Sequence, residues 1–337
     1  MKKTQPVIIQ LTNTERRALS DALSWLHYSS TAPHAPFVHA ARSAVASAVS
    51  ARTRHVLEEE RNGVRPRGVI VIENTPFDQS VERGPLDPEG AESQKPNSLS
   101  EGLIVGFTAQ LGDPYAVYQE GRGLVSNVSP SRAHLERLTG LGSRLALGLH
   151  IEHAAARTLP GDRAPDGLGL TGVSKEPVAA PATVVSDGRL ALAAVGARTA
   201  ALLRQRRFEA MFPERWRGQA EAALPVRTAL VTGEPESPSF VGAFYGDMLE
   251  PRGAVARRAR EAFLSALEEA AVEVVIEPGV VVLLDNHFIF HGRAPFEPQF
   301  DDEGRPYRWL QRVLFTSSLR RFGRWARVSD RIVRACA

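Results

Sequence analysis

From about residue 114 onward the chain is cut into short apolar runs, and this punctuation constrains its fold more than any other feature. Runs at 123–129, 145–151, 168–174, 182–186, 226–232, 239–245, 273–276, 279–285, 288–292 and 308–316 are separated by Gly, Pro and charged residues. Many short strands with turn signals between them predict a β-sandwich or jelly roll. Two helices interrupt the series, one near 197–206 and one over 254–271, the second carrying Val255, Ala259, Phe263 and Leu267 on one face. Upstream, Thr12-Asn-Thr-Glu15 forms a capping box, and Leu19, Leu23 and Leu26 follow at helical spacing, so 13–27 is expected to be an amphipathic helix. A second helix is expected over 38–60 and a third over 99–112. Gly68-Val-Ile-Val-Ile72 reads as a buried strand, and the proline-containing, charged segment 75–98 as a long loop, mobile or poised as a lid. The expected class is mainly β with flanking helices (α+β).

With 337 residues, 43% of them hydrophobic, the chain can bury one large β-rich core or two ordinary ones. A single domain is expected, because the candidate ligands below lie far apart in sequence and must converge. Residues 1–112 would pack on a jelly-roll core spanning 113–320, followed by a tail, 321–337. The formal net charge of +3, with arginines gathered between Arg305 and Arg334, lacks the dense basic stripe and interleaved aromatics of a nucleic-acid reader. Arginines suited to small carboxylates fit better. The single cysteine, Cys336, excludes an intrachain disulfide and a thiolate metal site, which fits a reducing cytoplasm. No apolar run of signal-peptide length follows the basic start, and none is long enough to span a bilayer. Asn127-Val-Ser129 is formally a glycosylation sequon and carries no information in that setting.

The chemistry-bearing pattern is His150-Ile-Glu152, answered by His291 and then by Arg308. On a strand, alternate side chains share a face, so His150 and Glu152 point together, and a distant strand can deliver the third ligand. Two imidazoles and a carboxylate are the facial triad of a mononuclear non-haem Fe(II) oxygenase, with positions open for O2 and a bidentate cosubstrate. A His-x-Glu pair alone is a weak signal. His291 adds weight because it follows the buried run Gly279-Val-Val-Val-Leu-Leu284 and Asp285-Asn286. His287 is a rival for the third ligand. His153 is another, although adjacency to Glu152 would point it away. Gly167-Leu-Gly-Leu-Thr-Gly172 fits the dinucleotide glycine pattern, but a strand-then-helix context is missing, with Pro177 and Pro181 close behind.

Four stretches resemble the clavaminate-synthase-like branch of the Fe(II)/2-oxoglutarate-dependent oxygenases, whose better-known members hydroxylate free amino acids. They are Gly123-Leu-Val-Ser-Asn-Val-Ser-Pro130; Gly142-Ser143 leading into His150-Ile-Glu152; Ala182-Thr183; and Asp285-Asn286 through His291-Gly-Arg293, Pro295-Phe296 and Arg308-Trp-Leu-Gln-Arg312. The likeness spans roughly 105–320 and implies a double-stranded β-helix (cupin-like) core. It implies that His150, Glu152 and His291 bind Fe(II) and carry catalysis. Arg308 would grip the distal carboxylate of 2-oxoglutarate beside Thr183, with Arg305 as the alternative if the alignment slips. Arg312 would meet the substrate's α-carboxylate, and Asn127, Ser143 and Asp247 would contact substrate. An acid at Asp247 or Glu250 would suit a basic side chain. The chain departs from the pattern at His153-Ala-Ala-Ala, at Leu170-Thr-Gly-Val173 and at the extra Asp301-Asp-Glu-Gly304.

The implied activity is oxidation of an unactivated C–H bond, by default hydroxylation, of a free or carrier-tethered amino acid in specialised metabolism. Succinate and CO2 would be co-products, and a carrier protein a partner only for a tethered substrate. Desaturation or ring closure uses the same oxidant. A divalent-metal hydrolase or isomerase on the same fold leaves Arg308 and Thr183 without a task, and a binding module with a structural triad is the third alternative.

Overall fold

The computed structural model describes every residue except 65, 122, 140, 179–180, 324–326 and 337. Its centre is a pair of facing sheets. The larger has eight strands: Val7–Gln10, Val69–Glu73, Val280–Asp285, Gly167–Ser174, Trp309–Thr316, Asp113–Val117 and Ile332–Val333 in that order, with Ser126–Val128 also paired to Trp309–Thr316. The smaller has four: Val272–Val275, Ala182–Asp187, Ile289–Arg293 and Leu147–His150. Pairing is antiparallel except at the two outer strands of the larger sheet, Val7–Gln10 and Ile332–Val333. Adjacent strands come from distant parts of the chain, the arrangement of a jelly roll.

Strand alternation sorts the larger sheet into two cores. Val69, Val71, Leu168, Leu170, Val282, Leu284, Leu310 and Leu314 face the space between the sheets. Ile70, Ile72, Val281, Leu283, Val313 and Phe315 face helices Asn13–Leu23, His34–Ala48 and Leu99–Leu111 on the outside. The period of two that divides these residues puts Arg308 and Arg312, at either end of one helical-length gap in number but on one face of a strand, toward the inner space. The glycine pattern at 167–172 is part of a fully buried strand. A Cβ on Gly169 would lie 2.5 Å from Thr108 Cγ2 and 2.8 Å from Ile104 Cδ1, so this glycine lets helix Leu99–Leu111 lie close on the sheet. On the far side of the smaller sheet, helix Ala254–Ala270 inserts Phe263 against Phe240 and Phe290, with ring centroids 5.6 and 5.9 Å apart.

Several expected boundaries shift. The helix expected over 38–60 is two, His34–Ala48 and Ala51–Arg61, because Val49 is extended and the Ser50 hydroxyl accepts from Thr53 N to start a new helix. The helix near 197–206 runs Gly196–Leu203 and is preceded by another, Gly188–Ala194, capped by Asp187. The segment 226–232 divides into Val226–Thr228 and Val231–Glu234. Segment 75–98 contains one short 3-10 turn, Ala91–Gln94, and is tied at both ends. Gly84 N donates to Pro306 O (2.6 Å), Asn127 Nδ2 to Pro88 O (3.0 Å), and buried Lys95 pairs with Glu101.

The capping box at Thr12 forms as expected and does more than cap. Glu15 accepts from Thr12 N (2.8 Å) and also from Ser50 N (2.8 Å), joining the first helix to the Ser50 break. Burial pushes the Glu15 carboxyl up, but the bonds from Thr12 and Ser50 outweigh it and bring it down to about 2. A carboxylate whose folded pKa is depressed contributes stability above its ordinary value near 4.5 and loses it as pH falls toward 2. The melting-temperature difference between wild type and Glu15→Gln is therefore expected to be full at pH 6 and to vanish near pH 2, as thermal melts across that range would record.

Candidate metal centre

The smaller sheet brings the two distant histidines together by register. His150 and His291 are direct cross-strand partners, with ring centroids 4.2 Å apart. Strand Leu147–His150 ends at its histidine, but the chain stays extended through Ile151, whose N–H bonds Gly242 O (2.8 Å), so Glu152 returns to the same face. Asn286 fixes that segment by accepting from Glu152 N (2.7 Å) and donating to Glu152 O (3.0 Å). Glu152 Oε2 lies 3.6 Å from His291 Nε2. One ligand atom each from His150, Glu152 and His291 falls within 4.8 Å of the others, and all three residues are buried.

The donor chemistry suits a divalent cation. His150 Nδ1 faces Gly148 O at 2.9 Å, which leaves Nε2 to coordinate. Burial, with His291 adding to it, lowers the His150 pKa to about 3, so the ring is a neutral ligand. Burial opposes ionisation of Glu152, but Arg312, His291 and His153 hold it well below the usual carboxylate range. Tyr245 packs edge-on against His150, ring centroids 5.3 Å apart, and closes one side.

The rivals separate cleanly. His287 points to the opposite side of the fold, where Nδ1 lies 2.9 Å from Asp285 and Nε2 3.3 Å from Asp166. Burial opposes its charge, but those two carboxylates raise it to about 9. It lines a different cavity of about 340 Å³, whose Asp166 and Arg321 are already paired with each other. His153, expected to point away, turns back: its backbone is left-handed (φ 52°), which breaks strand alternation. Its Nε2 lies 3.3 Å from Glu152 and 3.0 Å from Glu120, with the ring packed at a tilt against Trp216. Glu120, Glu152 and His153 also lie close enough to share an ion, but Arg312 donates to Glu120 (2.6 Å) and Glu152 (2.9 Å) and already supplies the positive charge there.

The triad opens on a cavity of about 150 Å³, also lined by Thr183, Arg215, Tyr245, Met248, Arg293, Arg308 and Arg312. Arg308 is 4% exposed, its Nε has no hydrogen-bond partner, and its guanidinium has no ion pair among the described residues. Burial, with Arg293 beside it, lowers its pKa to about 10, still charged at neutral pH. Glu176 pulls the other way without forming an ion pair, so much of the cost of this buried cation is left for an arriving anion to offset. Thr183 is the cross-strand partner of Arg293, at the same end of the cavity. Arg305 pairs instead with Asp301 (2.9 Å), partly exposed, and is not among the cavity residues.

The other expected substrate contacts lie outside the lining. Asn127 is spent on structure: Trp309 Nε1 donates to its Oδ1 (3.0 Å), and its Nδ2 binds Pro88 O. Ser143 is fully buried and braces the loop through Phe296 N, which donates to Ser143 O (2.9 Å). Asp247 follows Gly246, whose φ of 51° turns the chain outward, and pairs with Arg217 (2.9 Å) at the surface. Two charged groups at the cavity escaped sequence reasoning, Glu120 and Arg215, which form an ion pair with each other. Each sits on a short 3-10 turn, Tyr118–Glu120 and Glu214–Trp216, with no periodic pattern to mark it.

No family model matches the chain. It is 29% identical over 299 residues to enduracididine beta-hydroxylase of Streptomyces hygroscopicus, covering 80% of this chain and 82% of that protein. It is 29% identical over 291 residues to L-asparagine oxygenase of Streptomyces coelicolor, covering 85% and 82%. Among solved structures, the non-heme iron oxygenase OrfP in complex with Fe and alpha-ketoglutaric acid superimposes with a TM-score of 0.80 at 26% identity, covering 98% of this chain and 100% of that one. Fold, convergent triad and these relatives together show an Fe(II)/2-oxoglutarate-dependent oxygenase that is similar to amino-acid hydroxylases.

Proposed function

We propose that the protein oxidises a C–H bond of a free amino acid, with hydroxylation as the outcome, and that His150, Glu152 and His291 hold its ferrous ion. The carrying observation is one buried cavity that holds both the triad and the unpaired Arg308 guanidinium. Iron with 2-oxoglutarate supplies the oxidising power, releasing succinate and CO2. The protein's own part is binding, orientation and exclusion of water. Arg308 takes the distal carboxylate of 2-oxoglutarate with two parallel charge-assisted hydrogen bonds, and Thr183 adds a hydroxyl beside it. Arg293 donates to Thr139 O (3.3 Å) and Leu145 O (3.1 Å), holding the loop that roofs this end.

At the other end, Arg312 and Glu120 form a complementary pair for a zwitterion. The guanidinium takes the α-carboxylate, and the carboxylate takes the α-ammonium. When substrate is away they neutralise each other, and Arg312 also holds Glu152. Arrival of an α-carboxylate would draw Arg312 off Glu152, which couples substrate binding to the metal's ligand. A thioester-tethered amino acid lacks that carboxylate, which favours a free substrate. The enzymes similar to this chain include two acting on amino acids by name, enduracididine and asparagine, and the same class is proposed here. A single domain working in the reducing cytoplasm completes the reading, with no nucleic-acid or membrane partner. No helix among the described residues is long and apolar enough to cross a membrane.

The test is anaerobic titration of the protein with Fe(II), then with 2-oxoglutarate, followed by absorption spectroscopy. A visible charge-transfer band is expected only when both are present, and its absence at saturating concentrations of both would refute the proposal. A hydrolase or isomerase on the same scaffold predicts no such band.

A further inference from the structure

The charges around the cavity point to the substrate's side chain, an inference that rests on the oxygenase reading above. Four guanidinium groups line the cavity among the described residues: Arg215, Arg293, Arg308 and Arg312. Against them stand three carboxylates, Glu152 in the lining, Glu120 adjoining it and Glu176 near Arg308. A ferrous ion and the dianion of 2-oxoglutarate cancel each other in charge, and a zwitterionic amino-acid backbone adds none. The loaded site thus keeps an excess of positive charge. A basic side chain would enlarge that excess in a desolvated cavity, and a neutral one would leave it. A carboxylate would reduce it.

Position agrees with charge. Arg308 and Arg293 stand with Thr183 at the cosubstrate end, and Arg312 is committed to the α-carboxylate. Arg215 remains. Its turn is anchored by fully buried Trp216, whose ring packs at a tilt against His153 and Phe212, with centroids 4.7 and 6.3 Å away. Tyr245 and Met248 line the cavity with it, and Leu138 and Leu147 add apolar wall for methylene groups. The acids that would read a basic side chain are elsewhere: Asp247 is paired with Arg217 at the surface, and Glu250 is exposed.

We propose that the substrate is an amino acid with a carboxylate side chain, of the aspartate or glutamate class, and that Arg215 is the residue that selects it. In the empty site Arg215 rests on Glu120. With substrate bound, Glu120 passes to the α-ammonium and Arg215 to the side-chain carboxylate.

The experiment is anaerobic calorimetry on protein loaded with Fe(II) and 2-oxoglutarate, titrated in turn with L-aspartate, L-glutamate, L-asparagine, L-glutamine, L-lysine and L-arginine. One of the two acids is expected to bind at least ~10-fold tighter than its amide and than either base, the scale of one well-placed charged hydrogen bond. Arg215→Met is expected to lower affinity for that acid by ~10-fold or more while leaving its amide within about twofold. The Arg215 side chain is 47% exposed, so the replacement does not open a core cavity. A melting curve checks that the variant is folded. Tighter binding of an amide or a base, binding of none of the six, or an equal loss for acid and amide in Arg215→Met would each overturn the proposal. The last result would make Arg215 a strap for Glu120 and nothing more. The charge-transfer band of 2-oxoglutarate on iron needs no amino acid. If that band forms and the specificity fails, the oxygenase reading stands; if it does not form, that reading fails.

Discussion

His150→Ala removes turnover: substrate-dependent succinate release is expected to fall more than ~100-fold, beyond the cost of disturbing even the outer partners of a metal ligand. The expectation comes from geometry. Three protein atoms would hold the ion, and two of them come from the directly paired cross-strand residues His150 and His291. Losing one imidazole leaves an imidazole and a carboxylate, and that carboxylate already has Arg312 as a competing counter-charge at 2.9 Å. Metal affinity should drop with activity, so iron per chain measured after dialysis falls from near one toward zero. The fold should survive, because Ile151 and Glu152 are held by backbone bonds to Gly242 and Asn286 that do not involve the ring. A His150→Ala protein that keeps both its iron and its turnover would remove the triad from the mechanism. The matched substitution His287→Ala should leave iron content unchanged, since that ring faces Asp166 and Asp285 across a separate cavity.

What sequence could show depended on whether a residue's direction follows from a regular period. His150, His291, Arg308 and Arg312 sit in or beside strands, where alternation fixes the face, and each arrives at the cavity. His153 defeated the same reasoning because one left-handed residue reverses the direction of the side chain, and no residue type near it announces that turn. The turn at Gly246 carries Asp247 to the surface, and Asn127 is engaged by an indole–amide bond to Trp309 that only the folded sheet creates. Glu120 and Arg215 were invisible for a different reason. Each belongs to a three-residue turn, and they lie 95 positions apart, so only tertiary structure brings their charges together. The break at Ser50 was legible in principle, since Ser is a preferred helix N-cap, but the alanine-rich stretch on its N-terminal side masked it. His150 and His291 lie on strands, whereas Glu120 and Arg215 lie on short turns, and this difference accounts for the uneven legibility.

Arg308→Met should separate stability from function in opposite directions. In the protein without ligands, Arg308 is a charge at 4% exposure with no ion-pair partner among the described residues, and burial and Arg293 lower its pKa to about 10 against the opposing pull of Glu176. Methionine fills similar space without a charge to desolvate. No ion pair is broken and a desolvated charge is removed, so the ligand-free variant should melt at or above the wild-type temperature. Its hold on 2-oxoglutarate should weaken by ~10- to 150-fold, the loss of charge-assisted hydrogen bonds worth about 1.5–3 kcal/mol. Adding 2-oxoglutarate with a redox-inert divalent metal at ~100 times the wild-type dissociation constant should stabilise wild type by about 2.7 kcal/mol and the variant far less. The two melting curves should therefore converge or exchange order on addition of the keto acid. Arg308→Lys should recover only part of the affinity, because an ammonium is a point charge and cannot make the paired bonds of a planar guanidinium. A variant that loses stability without ligand yet keeps full affinity for 2-oxoglutarate would mean that Arg308 is a structural residue and that another cation, with Arg293 the nearest alternative, grips the cosubstrate.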